Sequence, residues 1–342
     1  MTQKFDFKDI TIVPEIVSSI NSRNEVNIFT EEFKLPIIVS PMDTVVDENN
    51  CDLFIKQNMI VCLPRGVDHD NGNNFHSLSL DEFENFVNWC EDDDINDTHF
   101  NILVDVANGH MEKLHTLSER FVKIKNEKHT LMVGNIANPK TYEKFCEIGV
   151  DYVRTGIGGG SGCLTSVHTG IHYPMGSLIQ ECYQIKKEGG YKTKIVADGG
   201  FKNYDDIIKA LVLGADYVML GGTLNKSLES CSKTKLFNLI PISQNHANQI
   251  WNKYPFLRKY MTKSFRGMST KDVQRKWGKT KITTSEGITK TNKIEYKLES
   301  WIENFSDYLK SAMSYTNSRT LNDFKESNTV FISENALKRY SK

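Results

Sequence analysis

The run GIGGGSGCLTSVHTG, Gly156 to Gly170, sets one thiol, Cys163, directly behind a loop almost free of side chains. Chain without Cβ atoms lets main-chain groups come close to a ligand. Gly156 to Gly162 can therefore offer carbonyl oxygens to a cation on one side and N–H groups to a phosphate on the other. With such donors around it and Thr165 two residues on, the Cys163 thiol can ionise below its free value of about 8.5 and attack an electrophilic carbon. A small buried filler is the other reading of the same cysteine.

A second feature is VADGG followed by DYVMLGG, in which two strand-like runs end in Gly199–Gly200 and Gly221–Gly222. Where late strands of a parallel barrel end in paired glycines, N–H groups converge on phosphate. Asp198, just ahead of the first pair, is placed to accept hydrogen bonds from ribose hydroxyls. Capping of the following helix is its alternative role.

These residues need a scaffold, and short β-branched runs supply it: LPIIVSPMD, NMIVCLP, FNILVDVAN, TLMVGNI, DYVRTGIG, KIVADGG and DYVMLGG. Helix-spaced segments such as Pro139 to Gly149 and Tyr204 to Gly214 lie between many of them, the rhythm of a parallel sheet. The nearly continuous apolar character of NILVDVA and YVMLGG fits strands buried on both faces. With YMTKSFRGM as an eighth run, the chain is expected to form an α/β fold, a (β/α)8 TIM barrel. Its mouth would collect Asp43, Arg65, Asp105, Asn135, Gly158, Asp198, Gly221 and Arg266.

Residues 68–98, 224–263 and 278–296 read as insertions, the last as a flap. The tail from Leu298 has helical spacing that suits the barrel's outside. The whole chain, 1–342, reads as one catalytic domain.

The 342 residues carry 42 basic and 43 acidic side chains, a formal net charge of -1, and no long block of one sign. That balance speaks against general attraction to nucleic acid or an anionic membrane. Seven scattered cysteines without paired short spacings suit reduced thiols in a cytoplasmic compartment. The start MTQKFDFKDITIVPE lacks the layout of a signal peptide, and no apolar run approaches membrane-spanning length.

The pieces DFKDITIVP, PIIVSPMDTV, DVANGH, MVGNI, GIGGGSGCLT, GYKTKIVADGG, IIKALVLGADYVMLGG, FRGMS and SEG, in that order, resemble the IMP dehydrogenase/GMP reductase family. DVANGH and FRGMS…SEG lie closer to its reductases. The chain also has no room for the regulatory domain that dehydrogenases commonly insert.

The resemblance implies a Cys163 nucleophile that attacks the purine carbon bearing the amino group of GMP. Ammonia would leave with proton help from Thr165 and Glu286, and hydride from NADPH would then release IMP. It places the nucleotide phosphate on Ser161, Gly200, Gly221 and Gly222, with Gly199, Arg266 and Gly267 nearby. Asp198 would bind ribose, and Met268, Ser269 and Gly287 the base. Asp105, Asn108 and Arg65 would serve the cofactor end, and the carbonyls of Gly158, Gly160 and Cys163 would cradle a monovalent cation such as K+. A homotetramer is the assembly it implies.

Departures fall mainly on the cofactor side. Gly159 stands where the reductases have proline, and Leu164 where they have a polar residue. Arg65, a catalytic candidate as well, stands where the reductases use a lysine near the reacting centre, so charge is kept while proton relay is lost. Thr283 or Thr284 replaces a basic residue ahead of SEG, and KSAMSYTNSR lacks the family's cofactor-holding glycine-arginine run. Two alternatives remain: a dehydrogenase-like oxidation of IMP, and a weakly catalytic nucleotide binder. The first needs an arginine and tyrosine pair in the flap, and residues 278–293 contain neither.

Overall fold

The computed structural model describes residues 3–340 apart from 68–73, 94, 277–283 and 285. Its centre is a closed barrel of eight parallel strands. These are β1 (Ile37–Val39), β2 (Ile60–Leu63), β3 (Phe75–Leu78), β4 (Phe100–Asp105), β5 (His129–Ile136), β6 (Tyr152–Thr155), β7 (Lys194–Asp198) and β8 (Tyr217–Leu220). Closure comes from β1 pairing with β8, Ile37 opposite Val218 and Val39 opposite Leu220. The expected (β/α)8 architecture is thus present.

Alternation along each strand explains the unbroken apolar runs. Ile38, Cys62, Leu103, Met132, Val196 and Met219 form the cluster inside the barrel. Their neighbours Val39, Val61, Val104, Val133, Ile195 and Val218 face the helices and join the larger outer core. Both sets are out of water, so both must be apolar. Phe75, Tyr152 and Tyr217 fill the N-terminal end of the barrel. There Tyr217 donates its hydroxyl to Glu32 at 2.6 Å. Substrate access is left to the C-terminal end.

Local signals set the helices. Ser79 and Glu82 make a capping box that opens Leu80–Asp92, whose Phe83, Val87 and Cys90 are buried. Asn138 caps Pro139–Ile148, and Gly149 in the left-handed conformation (φ 92°) ends it. The helix Leu298–Tyr315 buries Leu298, Trp301, Ile302, Phe305, Leu309 and Met313 along one stripe. Trp301 stacks on Tyr204 with centroids 5.4 Å apart. The tail lies on the barrel's exterior, as its spacing suggested.

Two assignments need correction. The strand that completes the barrel is β3, paired with β2 and β4, inside the stretch 68–98 expected to be an insertion. Met261–Arg266 is not a barrel strand. It stands in a four-stranded antiparallel sheet with Thr234–Leu236, Ile240–Ile242 and Thr289–Lys293. Its Met261 joins Leu228, Ala247, Trp251 and Ile294 in a separate small core.

This sheet is fastened over the barrel mouth by buried polar groups. Asn225, fully buried, donates to the carbonyls of Thr44 at 2.7 Å and Ser264 at 3.1 Å, and accepts from Asn292 Nδ2 at 2.8 Å. Lys263, 1% exposed, donates to the Leu228 carbonyl at 2.8 Å and to that of Ser230.

Burial lowers the Lys263 pKa from 10.5 to about 8, against the opposing pull of Cys231 and Glu229. Between these values the unfolded chain binds a proton that the folded chain has released, so stability from this site rises with pH across the window. Relative to Lys263→Met, the wild type should gain roughly 2 kcal/mol between pH 8 and 10. Urea unfolding of both proteins at each pH measures it, and parallel pH dependences would contradict it.

Candidate active site

The loop after β6 returns across the barrel mouth and carries Cys163. Its Sγ donates to Thr165 Oγ1 at 3.3 Å, and Thr165 Oγ1 donates in turn to Glu286 Oε2. Glu286 is brought there by main-chain pairing: Leu164 N–H donates to the Glu286 carbonyl at 2.6 Å and Ile288 N–H to that of Gly162 at 3.1 Å. Cys163 and Gly287 form an antiparallel bridge. A thiol, a hydroxyl and a carboxylate thus stand in a hydrogen-bonded row, 123 residues of chain folded back to make it.

Cys163 is half-buried, whereas Cys51, Cys62, Cys90, Cys146 and Cys182 are buried and all seven thiols are free. Burial pushes the thiol of Cys90 up to about 11 and that of Cys231 up to about 12. A filler role therefore fits the five buried cysteines; Cys163 and Cys231 are both partly open, and of these two Cys163 has the hydroxyl and carboxylate in line beside it.

Three glycine turns meet beside it. A Cβ placed on Gly222 would come 2.7 Å from Ser161 Oγ, and one on Gly199 would come 2.9 Å from Gly160 N. Gly199 and Gly200 take φ values of 99° and 89°, which glycine alone adopts without strain. The result is a cradle of bare main chain from the ends of β6, β7 and β8. Thr223 Oγ1 donates to the Phe201 carbonyl at 3.0 Å and ties the last two turns together.

The segment Arg266–Ser269 closes one wall. Gly267 N–H donates to the Ile288 carbonyl at 2.9 Å, and Ser269 Oγ lies 3.0 Å from the position a Cβ on Gly287 would take. Arg266 pairs with Asp43 at the end of β1. A Cβ on Gly267 would overlap the Gly162 carbonyl oxygen. Gly267→Ala should therefore shift the Cys163 loop and cut kcat/KM roughly 100-fold. Steady-state kinetics on the folded variant test this, and unchanged kinetics would show that the wall tolerates the side chain.

A charge network floors the mouth. Arg154, 5% exposed on β6, donates to Asp105 Oδ1 at 2.6 Å and Asp198 Oδ2 at 2.8 Å. Asn135 Nδ2 donates to the same Asp198 oxygen at 2.7 Å and to the Gly156 carbonyl at 2.9 Å. Arg65 reaches the Asp105 main-chain oxygen and lies 3.8 Å from its carboxylate. Burial alone would lower the Arg154 pKa; Asp198 and then Asp105 reverse this and raise it. The helix Tyr204–Val212 is capped by Asn203 and Asp206, so Asp198 is not its cap. Both bonds fall on Oδ2, and Oδ1 has no partner among the described residues.

The structure brings together most of the residues singled out from sequence, with two qualifications, and adds one residue to them. Asn108 is exposed and its Oδ1 accepts from His110 N–H at 3.1 Å, a local turn at the rim. The flap residues 277–283 and 285, Thr283 among them, lie outside the described residues. Arg154 is the residue that sequence reasoning left without a role. Its signal was an arginine inside the strand-like run DYVRTG, at a position next to the apolar Val153. His168 and His172 are exposed, and no cluster of metal-ligating side chains occurs among the described residues.

A family model described as IMP dehydrogenase / GMP reductase domain matches residues 95–340. The chain belongs to the IMP dehydrogenase/GMP reductase family. It is 29% identical to GMP reductase 2 of Bos taurus over 91% of this chain and 89% of that one. It is 28% identical to GMP reductase 1 of Homo sapiens over 96% and 97%. With the GMP reductase of Buchnera aphidicola it shares 31% identity over 64% and 68%. These relatives support a GMP reductase-like oxidoreductase. No helix among the described residues is long and apolar enough to cross a membrane.

Proposed function

We propose that the chain converts GMP to IMP and ammonia at the expense of NADPH, through a covalent bond to Cys163. The observation that carries this reading is the row Cys163–Thr165–Glu286 set beside the glycine cradle. The cradle's N–H groups hold the nucleotide phosphate, and Asp198 Oδ1 is the acceptor left for ribose. Arg266, Met268, Ser269 and Gly287 wall in the base.

The chemistry follows the row. As Sγ bonds to the purine carbon that bears the amino group, the thiol proton passes through Thr165 Oγ1 to the Glu286 carboxylate. Glu286 returns it by the same route to the amino nitrogen, the C–N bond breaks, and ammonia leaves. NADPH supplies a hydride to the same carbon when bound. The C–S bond then breaks, which frees IMP and leaves a thiolate that takes one proton from solvent to regain the starting thiol.

The mouth around Arg65, Arg154 and Asp105 offers both donors and acceptors, as a nicotinamide carboxamide requires. Arg65 holds charge there and relays no proton. For K+, the Gly158 carbonyl already accepts from Ser166 Oγ at 2.9 Å and that of Gly160 from Cys163 N–H at 2.9 Å. Each oxygen keeps a second lone pair, so Gly158, Gly160 and Cys163 fit a monovalent cation as a partly filled carbonyl ring. Cytoplasmic residence agrees with the seven free thiols, and a homotetramer remains part of the proposal.

The reading is tested by nicotinamide absorbance with GMP and NADPH, and separately with IMP and NAD. NADPH should be consumed only when GMP is present, and Glu286→Gln should lower kcat on the order of 10²-fold. Nucleotide-induced stabilisation without turnover in either mixture would leave only a binding protein.

A further inference from the structure

Three lysines border the turns of the glycine cradle. Lys290, on the strand Thr289–Lys293, places Nζ 5.3 Å from the centroid of the Phe265 ring. The edge of that ring reaches the cradle, since Phe265 Cζ lies 3.5 Å from the Cβ position of Gly222 and Cε1 lies 3.0 Å from that of Gly162. Lys226 directly follows the short helix Gly222–Asn225. Lys202 follows Phe201, whose carbonyl is the one bonded to Thr223, so it borders the same turn.

Their charge is poorly compensated. Lys226 pairs with Glu295 at 3.0 Å, while Lys202 and Lys290 have no carboxylate at ion-pair distance among the described residues. Burial first, and then Lys226 and Lys202, lower the Lys290 pKa. Bare N–H groups already serve a monophosphate in the cradle. Two further unpaired cations at its outer edge, one of them across the width of the Phe265 ring, suit an anion that continues outward from the first phosphate.

We propose that Lys202, Lys226 and Lys290 form a second anion subsite, continuous with the glycine cradle, that takes the terminal phosphate of a purine nucleoside diphosphate. This rests on the reading of the cradle as the phosphate site. Such a ligand would occupy the same pocket as GMP and compete with it.

The test is calorimetric titration of the full chain with GMP and with GDP in magnesium-free buffer. GDP should bind about tenfold tighter than GMP, the effect of one well-made charged contact. The double variant Lys202→Ala/Lys290→Ala should lose that advantage while its affinity for GMP changes less than about threefold. Lys290→Arg, which keeps the charge, should restore it when paired with wild-type Lys202. GDP binding no tighter than GMP, or an equal loss for both nucleotides in the double variant, overturns the subsite. If GMP itself does not bind, the cradle reading falls and the subsite falls with it.

Discussion

Replacing Cys163 by alanine is expected to lower kcat by at least about 10⁴-fold, because the proposed covalent route disappears and, among the described residues, no other thiol stands in the row with Thr165 and Glu286. The same variant should still be stabilised by GMP. The main-chain turn at Cys163 is held by its N–H bond to the Gly160 carbonyl at 2.9 Å, which alanine keeps. The cradle at Ser161, Gly200 and Gly222 does not use the side chain. Turnover assays and thermal shifts with GMP read the two properties separately. A variant that turns over at the wild-type rate would show that the sulfur is not the nucleophile.

The second large effect concerns Arg154. It bridges Asp105 and Asp198, two carboxylates only 15% and 14% exposed. Arg154→Met would leave both facing each other in the barrel mouth without their shared cation. Breaking a buried pair from one side costs about 3–5 kcal/mol, so urea unfolding should show a loss of that size. Arg154→Lys should recover only part of it, since one ammonium cannot fork between two partners as a guanidinium does. Loss of nucleotide affinity should follow, because Asp198, the proposed ribose acceptor, would lose the partner that orients it. A stability change below about 1 kcal/mol would contradict the bridging role.

The two variants also mark where sequence sufficed. Cys163 was conspicuous because the glycines around it have few uses other than close main-chain approach. Seven barrel strands were legible because burial on both faces leaves an unbroken apolar run. β3 was not, because its four residues, Phe75–Leu78, read FHSL and follow the polar stretch NGNN. Of its inward positions, only Phe75 is apolar, and Ser77 already approaches the polar mouth. Met261–Arg266 imitates a barrel strand because one side of it also meets an apolar core, formed by a separate sheet.

Arg154 illustrates the remaining limit. A charged residue in a strand gains its meaning from Asp105 and Asp198, which lie 49 and 44 residues away and meet it only after the barrel closes. The expected ribose role of Asp198 carried no hint that one of its oxygens is saturated by Arg154 and Asn135. Pairing between the Cys163 loop and Glu286 was likewise unreadable from periodicity, since neither segment is a strand of the barrel. The match of SEG to a known family pattern supplied it instead.

The most direct measurement uses the reaction in reverse. With IMP and NADP but no ammonia, only the hydride step can run backward, so the purine should remain bonded to the protein as a thioimidate. Acid quenching, digestion and peptide mass spectrometry should find one purine nucleotide, less two hydrogens, on the peptide that contains Cys163 and none in Cys163→Ala. An unmodified Cys163 peptide, or an adduct on any other cysteine, would contradict the account.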